Sequence, residues 1–148
     1  MNIVRLAYAS RLARNCGPVI LGDIQAVARR NNRPLGVTGA LCLSPRGFLQ
    51  ILEGPAAAVN ELFRRIVKDP RHSAVTLIDY SRIPCRDFEH WSMASFRTDE
   101  LSGALLRKYS ARRDFDPFEM GPDQVRAFLL AAVRECVAEA AAPAKRTA

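Results

Sequence analysis

GVTGALCLSPRGFLQILEG, residues 36–54, holds two apolar runs separated by Ser44, Pro45, Arg46 and Gly47. Runs of strand length on either side of a proline- and glycine-containing turn predict an antiparallel hairpin. Gln50 stands in the middle of the second run, among Phe48, Leu49, Ile51 and Leu52. A polar side chain inside an apolar strand costs free energy unless it is hydrogen-bonded, so Gln50 needs a partner.

Upstream, NIVRLAYA (residues 2–9) has strand character and, on a period of two, sets Val4, Leu6 and Tyr8 on one face and Ile3, Arg5 and Ala7 on the other. Between this strand and the hairpin the spacing turns helical over Pro18 to Asn32. Ile20, Ile24, Val27 and Ala28 lie on one side, Asn31 and Asn32 fall in the last turn, and Gly36 lies past the end. Downstream, Val59, Leu62, Phe63, Ile66 and Val67 recur at three and four from Pro55 to Lys68, an amphipathic helix that stops before Asp69 and Pro70. AVTLIDY (74–80) and WSMASF (91–96) read as two more strands joined by a polar loop.

The order strand, helix, strand, strand, helix, strand, strand predicts an α+β fold: a ferredoxin-like sheet of five strands with two helices on one face. In that topology the first and third strands are central neighbours, and Tyr8 and Gln50 share the helix-covered face. Beyond Arg97, helical segments are expected at about 99–109 and 122–138, the second with Val125, Phe128, Leu129, Val133 and Val137 on one side. The expected organisation is a domain over 1–97, a helical cap over 98–140 that must pack on something, and a frayed, alanine-rich tail over 141–148.

Composition narrows the function classes. The chain of 148 residues is 49% hydrophobic, enough for one core, and no run reaches the roughly 18 to 20 apolar residues of a membrane span. Without a signal-peptide pattern the expected location is cytoplasmic. Cys16, Cys42, Cys85 and Cys136 are widely spaced, and His72 and His90 lack companions at ligand spacing, so no metal site is expected. The net charge of +7 leaves nucleic acid, an acidic partner or an anionic cofactor open. Arg46, Gly47 and Phe48 partly match an RNA recognition motif, yet Gln50 stands where its next stacking aromatic belongs. The segment ASRLARNCG after the first strand lacks the phosphate cradle of an acylphosphatase-type hydrolase.

The residues that carry chemistry are few. Tyr8 facing Gln50 is either a structural pair or a working one. Asn31 and Asn32 suit the edge of a heteroaromatic ring, and equally a helix C-terminus. Arg64, Arg65, Lys68 and Arg71 suit a phosphate-bearing ligand, or solvent.

Taken in order, Tyr8, the asparagines at 31 and 32, GVTG at 36, FLQILEG at 48, DPRH at 69 and WSM at 91 resemble the BLUF (blue light using flavin) family over residues 2–97. The helical tail, with LLRKYS near residue 105, is similar to the short stand-alone members known from cyanobacteria and purple bacteria. The resemblance implies a photosensory flavoprotein, not an enzyme, holding FAD between the two helices. Asn31, Asn32 and Gln50 would meet the ring edge, Ile24 and Ile66 would sandwich the ring, and Arg65 and Asp69 would lie near the ring and its chain. It further implies that on blue-light excitation Tyr8 supplies an electron and a proton, and that the pair recombines after Gln50 has changed its hydrogen bonds. Trp91 and Met93 would then carry the change to the cap, or Trp91 is plain core. The implied partners are a downstream effector protein acting in trans and further copies of the chain, with no nucleic acid, membrane or metal. Ala28 departs from the family, which often has a serine there that bonds the glutamine.

Overall fold

The computed structural model describes residues 2–13, 20–110 and 115–141. Along them run β1 (Ile3–Leu12), α1 (Ile20–Leu35), β2 (Thr38–Ser44), β3 (Gly47–Pro55), α2 (Ala56–Lys68), β4 (His72–Arg82), β5 (Ala94–Arg97), α3 (Gly103–Tyr109) and α4 (Pro122–Ala141). Short 3-10 turns at Thr98–Glu100 and Pro117–Glu119 precede the last two helices. The expected element order holds, and the five strands form one sheet in the order β4-β1-β3-β2-β5. Every pairing is antiparallel except β2 with β5.

The hairpin is closed by its own polar residues. Ser44 Oγ donates to the Gly47 carbonyl at 3.0 Å and accepts from the Arg46 amide at 3.2 Å, leaving Pro45 and Arg46 exposed at the tip. Gly47 has a φ of 139°, and a Cβ there would stand 2.0 Å from the Ser10 carbonyl oxygen, so only glycine fits this crossing of β1.

The sheet is covered on both faces, so its central strands are apolar on both sides. Val4, Leu6, Tyr8, Leu41, Phe48 and Leu52 pack beneath α1 and α2 with Ile24, Val59 and Leu62. The opposite face is floored by small side chains, Ala7, Ala9, Ala40 and Cys42, onto which the cap lays Phe115, Phe128, Leu129 and Val133. Small residues in the floor let a helix come close and fill the space with its own aromatics. The cap thus finds its partner in the back of the sheet.

Several boundaries differ from expectation. β5 begins at Ala94 rather than Trp91, because residues 83–93 form a loop fastened elsewhere. α3 begins at Gly103, where Ser102 Oγ accepts from the Leu105 amide at 3.1 Å and caps the helix. α1 runs on through Pro34 to Leu35, and Gly36, at φ 69°, ends it in the left-handed conformation. α4 continues past Ala138 on helix-favouring alanines to Ala141. The expected start of α1 at Pro18, Cys16, and residues 142–148 of the expected tail lie outside the described residues.

One feature has no sequence signal. Glu53, fully buried under the cap, accepts from Arg5 Nε at 2.9 Å and from the backbone amides of Asp87 and Phe88 at 2.9 and 2.8 Å. Asp87 in turn pairs with Arg5 and accepts from Arg126 Nε of α4 at 2.5 Å. The network fastens β1, β3, the 83–93 loop and α4 to one another.

Candidate functional site

The register sets Tyr8 directly opposite Gln50 on the two central strands. Both side chains point toward α1 and α2, and the buried Tyr8 hydroxyl donates to Gln50 Oε1. The other end of the amide, Gln50 Nε2, donates to Met93 Sδ at 3.3 Å. The orphan polar group of β3 is therefore one link in a chain of tyrosine, glutamine and methionine. Burial, and then the carboxylate of Asp69, push the Tyr8 phenol far above its usual range. It stays protonated and reaches Gln50 as a donor, which fixes the amide oxygen toward it.

Tyr8 and Gln50 line the floor of a half-open cleft between α1 and α2. Its walls are apolar, with Ile24, Val27 and Ala28 from α1 and Leu62 and Ile66 from α2. Asn31, Asn32, Arg65, Asp69 and Arg71 supply polar groups along it. Asn32 is buried and donates through Nδ2 to the Ser92 carbonyl at 3.1 Å. Asn31 makes no side-chain hydrogen bond among the described residues, which leaves a half-buried amide with donors and acceptor available. A planar ring with an apolar face and a polar edge fits such a lining. Ala28, with no hydroxyl, cannot bond Gln50, so Met93 is the amide's only other side-chain partner among the described residues.

Every residue expected to touch a cofactor borders this one cleft: Ile24, Asn31, Asn32, Gln50, Arg65, Ile66 and Asp69. Arg65 sits at the exposed rim, with Nε 3.3 Å from Glu61 Oε1. Trp91 is placed differently from Met93. Its ring lies edge-on to Phe88 at 6.5 Å and packs against the cap-side core. Strand alternation from Met93 would have set residue 91 on the same face, but β5 starts only at Ala94 and the alternation does not reach it. The sequence offers His72 only as a lone histidine at the end of DPRH. It is buried against Phe48 at 4.8 Å between ring centres, accepts or donates at Nδ1 with Ser10 Oγ at 2.7 Å, and borders the cleft. Its burial holds the imidazole below its usual pKa, hence neutral.

Asp69 is gripped by the Arg71 guanidinium, Nε at 3.0 Å from both oxygens and Nη2 at 2.6 Å from Oδ2. The Arg71 side-chain bond is the main reason its carboxyl lies below the usual value of 3.8. A lowered carboxyl pKa contributes stability that is full above 3.8 and fades as pH falls through the folded value. In Asp69→Asn the parent's acid loss below about pH 4 should shrink. Urea midpoints from pH 6 to 3 check this; parallel curves for parent and variant would refute it.

Residues 3–94 match the family model described as sensors of blue-light using FAD. The chain belongs to the BLUF family. The BLUF chain is 30% identical over 137 residues to the blue light- and temperature-regulated antirepressor BluF of Escherichia coli, covering 87% of this chain and 33% of that protein. It is 31% identical over 103 residues to photoactivated adenylate cyclase subunit beta of Euglena longa, covering 68% of this chain but only 12% of the cyclase subunit. The BLUF protein BlrB in its dark state superposes with a TM-score of 0.76 at 30% identity, over 91% of this chain and 97% of BlrB. BlsA in its photo-activated state gives 0.78 at 27% identity, over 88% and 94%. The BLUF chain belongs to a family of blue-light sensors and spans about an eighth of the cyclase subunit it matches. Among the described residues no helix is long and apolar enough to cross a membrane, and no cluster of three His, Cys, Asp or Glu could hold a metal ion.

Proposed function

We propose that the cleft between α1 and α2 holds the flavin as FAD and that Tyr8 and Gln50 convert blue light into a changed hydrogen-bond network, read by an effector protein acting in trans. The observation that carries this reading is the buried hydrogen-bond chain from Tyr8 through Gln50 to Met93, whose first two members line the cleft. Ile24 and Ile66 would lie against the ring faces, Asn31, Asn32 and Gln50 at its edge, and Arg65 and Asp69 near its chain. The flavin, when bound, supplies blue-light absorption and a reversible one-electron acceptor.

The rest is the work of this chain's side chains. A phenol held protonated at Gln50 loses its proton only when it also loses an electron, so electron and proton leave Tyr8 together. Gln50 has a donor and an acceptor on one planar group, and rotation or tautomerisation exchanges them without moving the backbone. When the amide turns, Met93 and its loop must find new contacts, and β5 and the cap follow. On this reading residues 1–97 are the sensor, 98–140 pass the change on, and the protein works in the cytoplasm as a homo-oligomer. A nucleic-acid module of this topology would use the back of the sheet, which here is buried under Phe115, Phe128 and Leu129.

The test is an absorption spectrum in the dark and after a blue pulse, with Gln50→Leu measured beside the parent. A flavin spectrum that moves to the red, recovers in darkness and stays fixed in the variant is expected. Colourless protein from flavin-replete cells would overturn the reading.

A further inference from the structure

Four large apolar side chains are exposed among the described residues, and three of them, Val67, Leu77 and Tyr80, belong to α2 and β4. Among the described residues β4 is an edge strand of eleven residues that pairs only with β1, so its outer row of amides and carbonyls has no described strand beside it. α2 and β4 are joined by a three-residue turn and run back along each other. Asn60 Nδ2 donates to Tyr80 Oη at 3.2 Å, which fixes their alignment. Seven residues of helix and three of strand both span about 10 Å, which brings Val67 level with Leu77. The three side chains thus form one apolar margin along an open strand edge.

The charge around that margin is positive. Arg64, Arg65 and Lys68 are exposed on α2 and Arg82 ends β4, whereas the nearby carboxylates are Glu61, which faces Arg64 and Arg65, Asp69, which is held by Arg71, and Asp79. A second copy docked here would set these cations against their own counterparts, and the whole chain is already at +7. An acidic segment would be drawn to them. Register shifts at Ala7/Tyr8 and Ala9/Arg11 twist the edge, a feature that discourages indiscriminate strand pairing but leaves Asp79–Arg82 regular. The first shift lies beside the residue that matters most: Leu77 is the partner of Tyr8 across the β1–β4 ladder.

We propose that the outer edge of β4, with Val67, Leu77 and Tyr80 along it, is the docking surface for an extended, acidic segment of the partner protein, which adds to the sheet as a sixth strand. This rests on the photosensor reading above for its regulation: Tyr8 lies one strand in from the edge, so a change in its hydrogen bonding bears on the ladder that presents Leu77.

The probe is a ten-residue synthetic peptide alternating valine and glutamate, labelled with a dye absorbing to the red of flavin. A valine–lysine counterpart serves as control. Anisotropy titrations use the full flavin-loaded chain in darkness and under blue light. The acidic peptide should bind and the basic one should not, with dissociation constants in the two light states differing about fivefold or more. Leu77→Ser and, separately, Tyr80→Ser should each weaken binding several-fold while keeping the reversible red shift. Binding without preference for the acidic peptide, equal affinity in dark and light, or variants that bind like the parent would each overturn the proposal. So would a parent that sediments as a dimer dissolved by Leu77→Ser, which would make the occupant a second copy. Loss of flavin or of the red shift in the parent would instead sink the photosensor reading, while the dark titrations still decide the surface.

Discussion

Tyr8→Phe is expected to abolish the reversible red shift entirely while the protein stays folded and coloured. The phenyl ring keeps the packing that Tyr8 makes with Phe63, at 5.7 Å between ring centres, and loses only the hydroxyl. That hydroxyl is the group that touches Gln50, so its loss removes both the donor in the dark state and the proposed source of electron and proton. Gln50 Oε1 is left buried without that donor, a cost of about 1–3 kcal/mol that the urea midpoint registers. The two readouts therefore separate: stability moves modestly, photochemistry disappears. A Tyr8→Phe protein that still shifts to the red after a blue pulse would show that the donor is another residue, and the working pair of β1 and β3 would have to be redrawn.

Tyr8 and Gln50 also show what the sequence makes legible. Strand alternation sets Tyr8 on a chosen face, the apolar surroundings of Gln50 demand a partner, and the topology makes β1 and β3 neighbours. Three local rules converge on one contact. Periodicity also sets Ile24 and Ile66 on the apolar faces of their helices and Asn31 and Asn32 in a last turn, but their place at a cofactor, with that of Asp69, is what the family resemblance implies. Periodicity fails where backbone regularity fails. Trp91 and Met93 are two residues apart and would share a face in a strand, yet the loop that carries them is held by Glu53, Asn32 and Gly39 rather than by a ladder. His72 enters the cleft through the irregular start of β4, where no alternation points it inward. Glu53 reads as the polar end of an apolar strand. Its burial depends on α4, which arrives some seventy residues later and covers it with the 83–93 loop.

The second large effect concerns that glutamate. Glu53→Ala should cost about 3–5 kcal/mol, the usual penalty for removing one partner of a buried ion pair. It leaves the backbone amides of Asp87 and Phe88 without their acceptor, and Arg5 with Asp87 alone. Glu53→Gln keeps an acceptor and nearly the same volume, so its cost should be smaller, about 1–3 kcal/mol. Arg126→Ala, which removes a half-exposed member of the network, should cost at most about 1 kcal/mol. Urea unfolding at neutral pH ranks the three, and an alanine variant no less stable than the glutamine one would deny the network its role. The consequence reaches the cleft as well. Glu53 fastens the middle of the loop whose end places Met93 against Gln50, so loosening the first frees the second. Dark recovery in Glu53→Gln should therefore differ from the parent although residue 53 lies on the opposite face of the sheet from the cleft. An unchanged recovery rate at reduced stability would confine Glu53 to holding the cap.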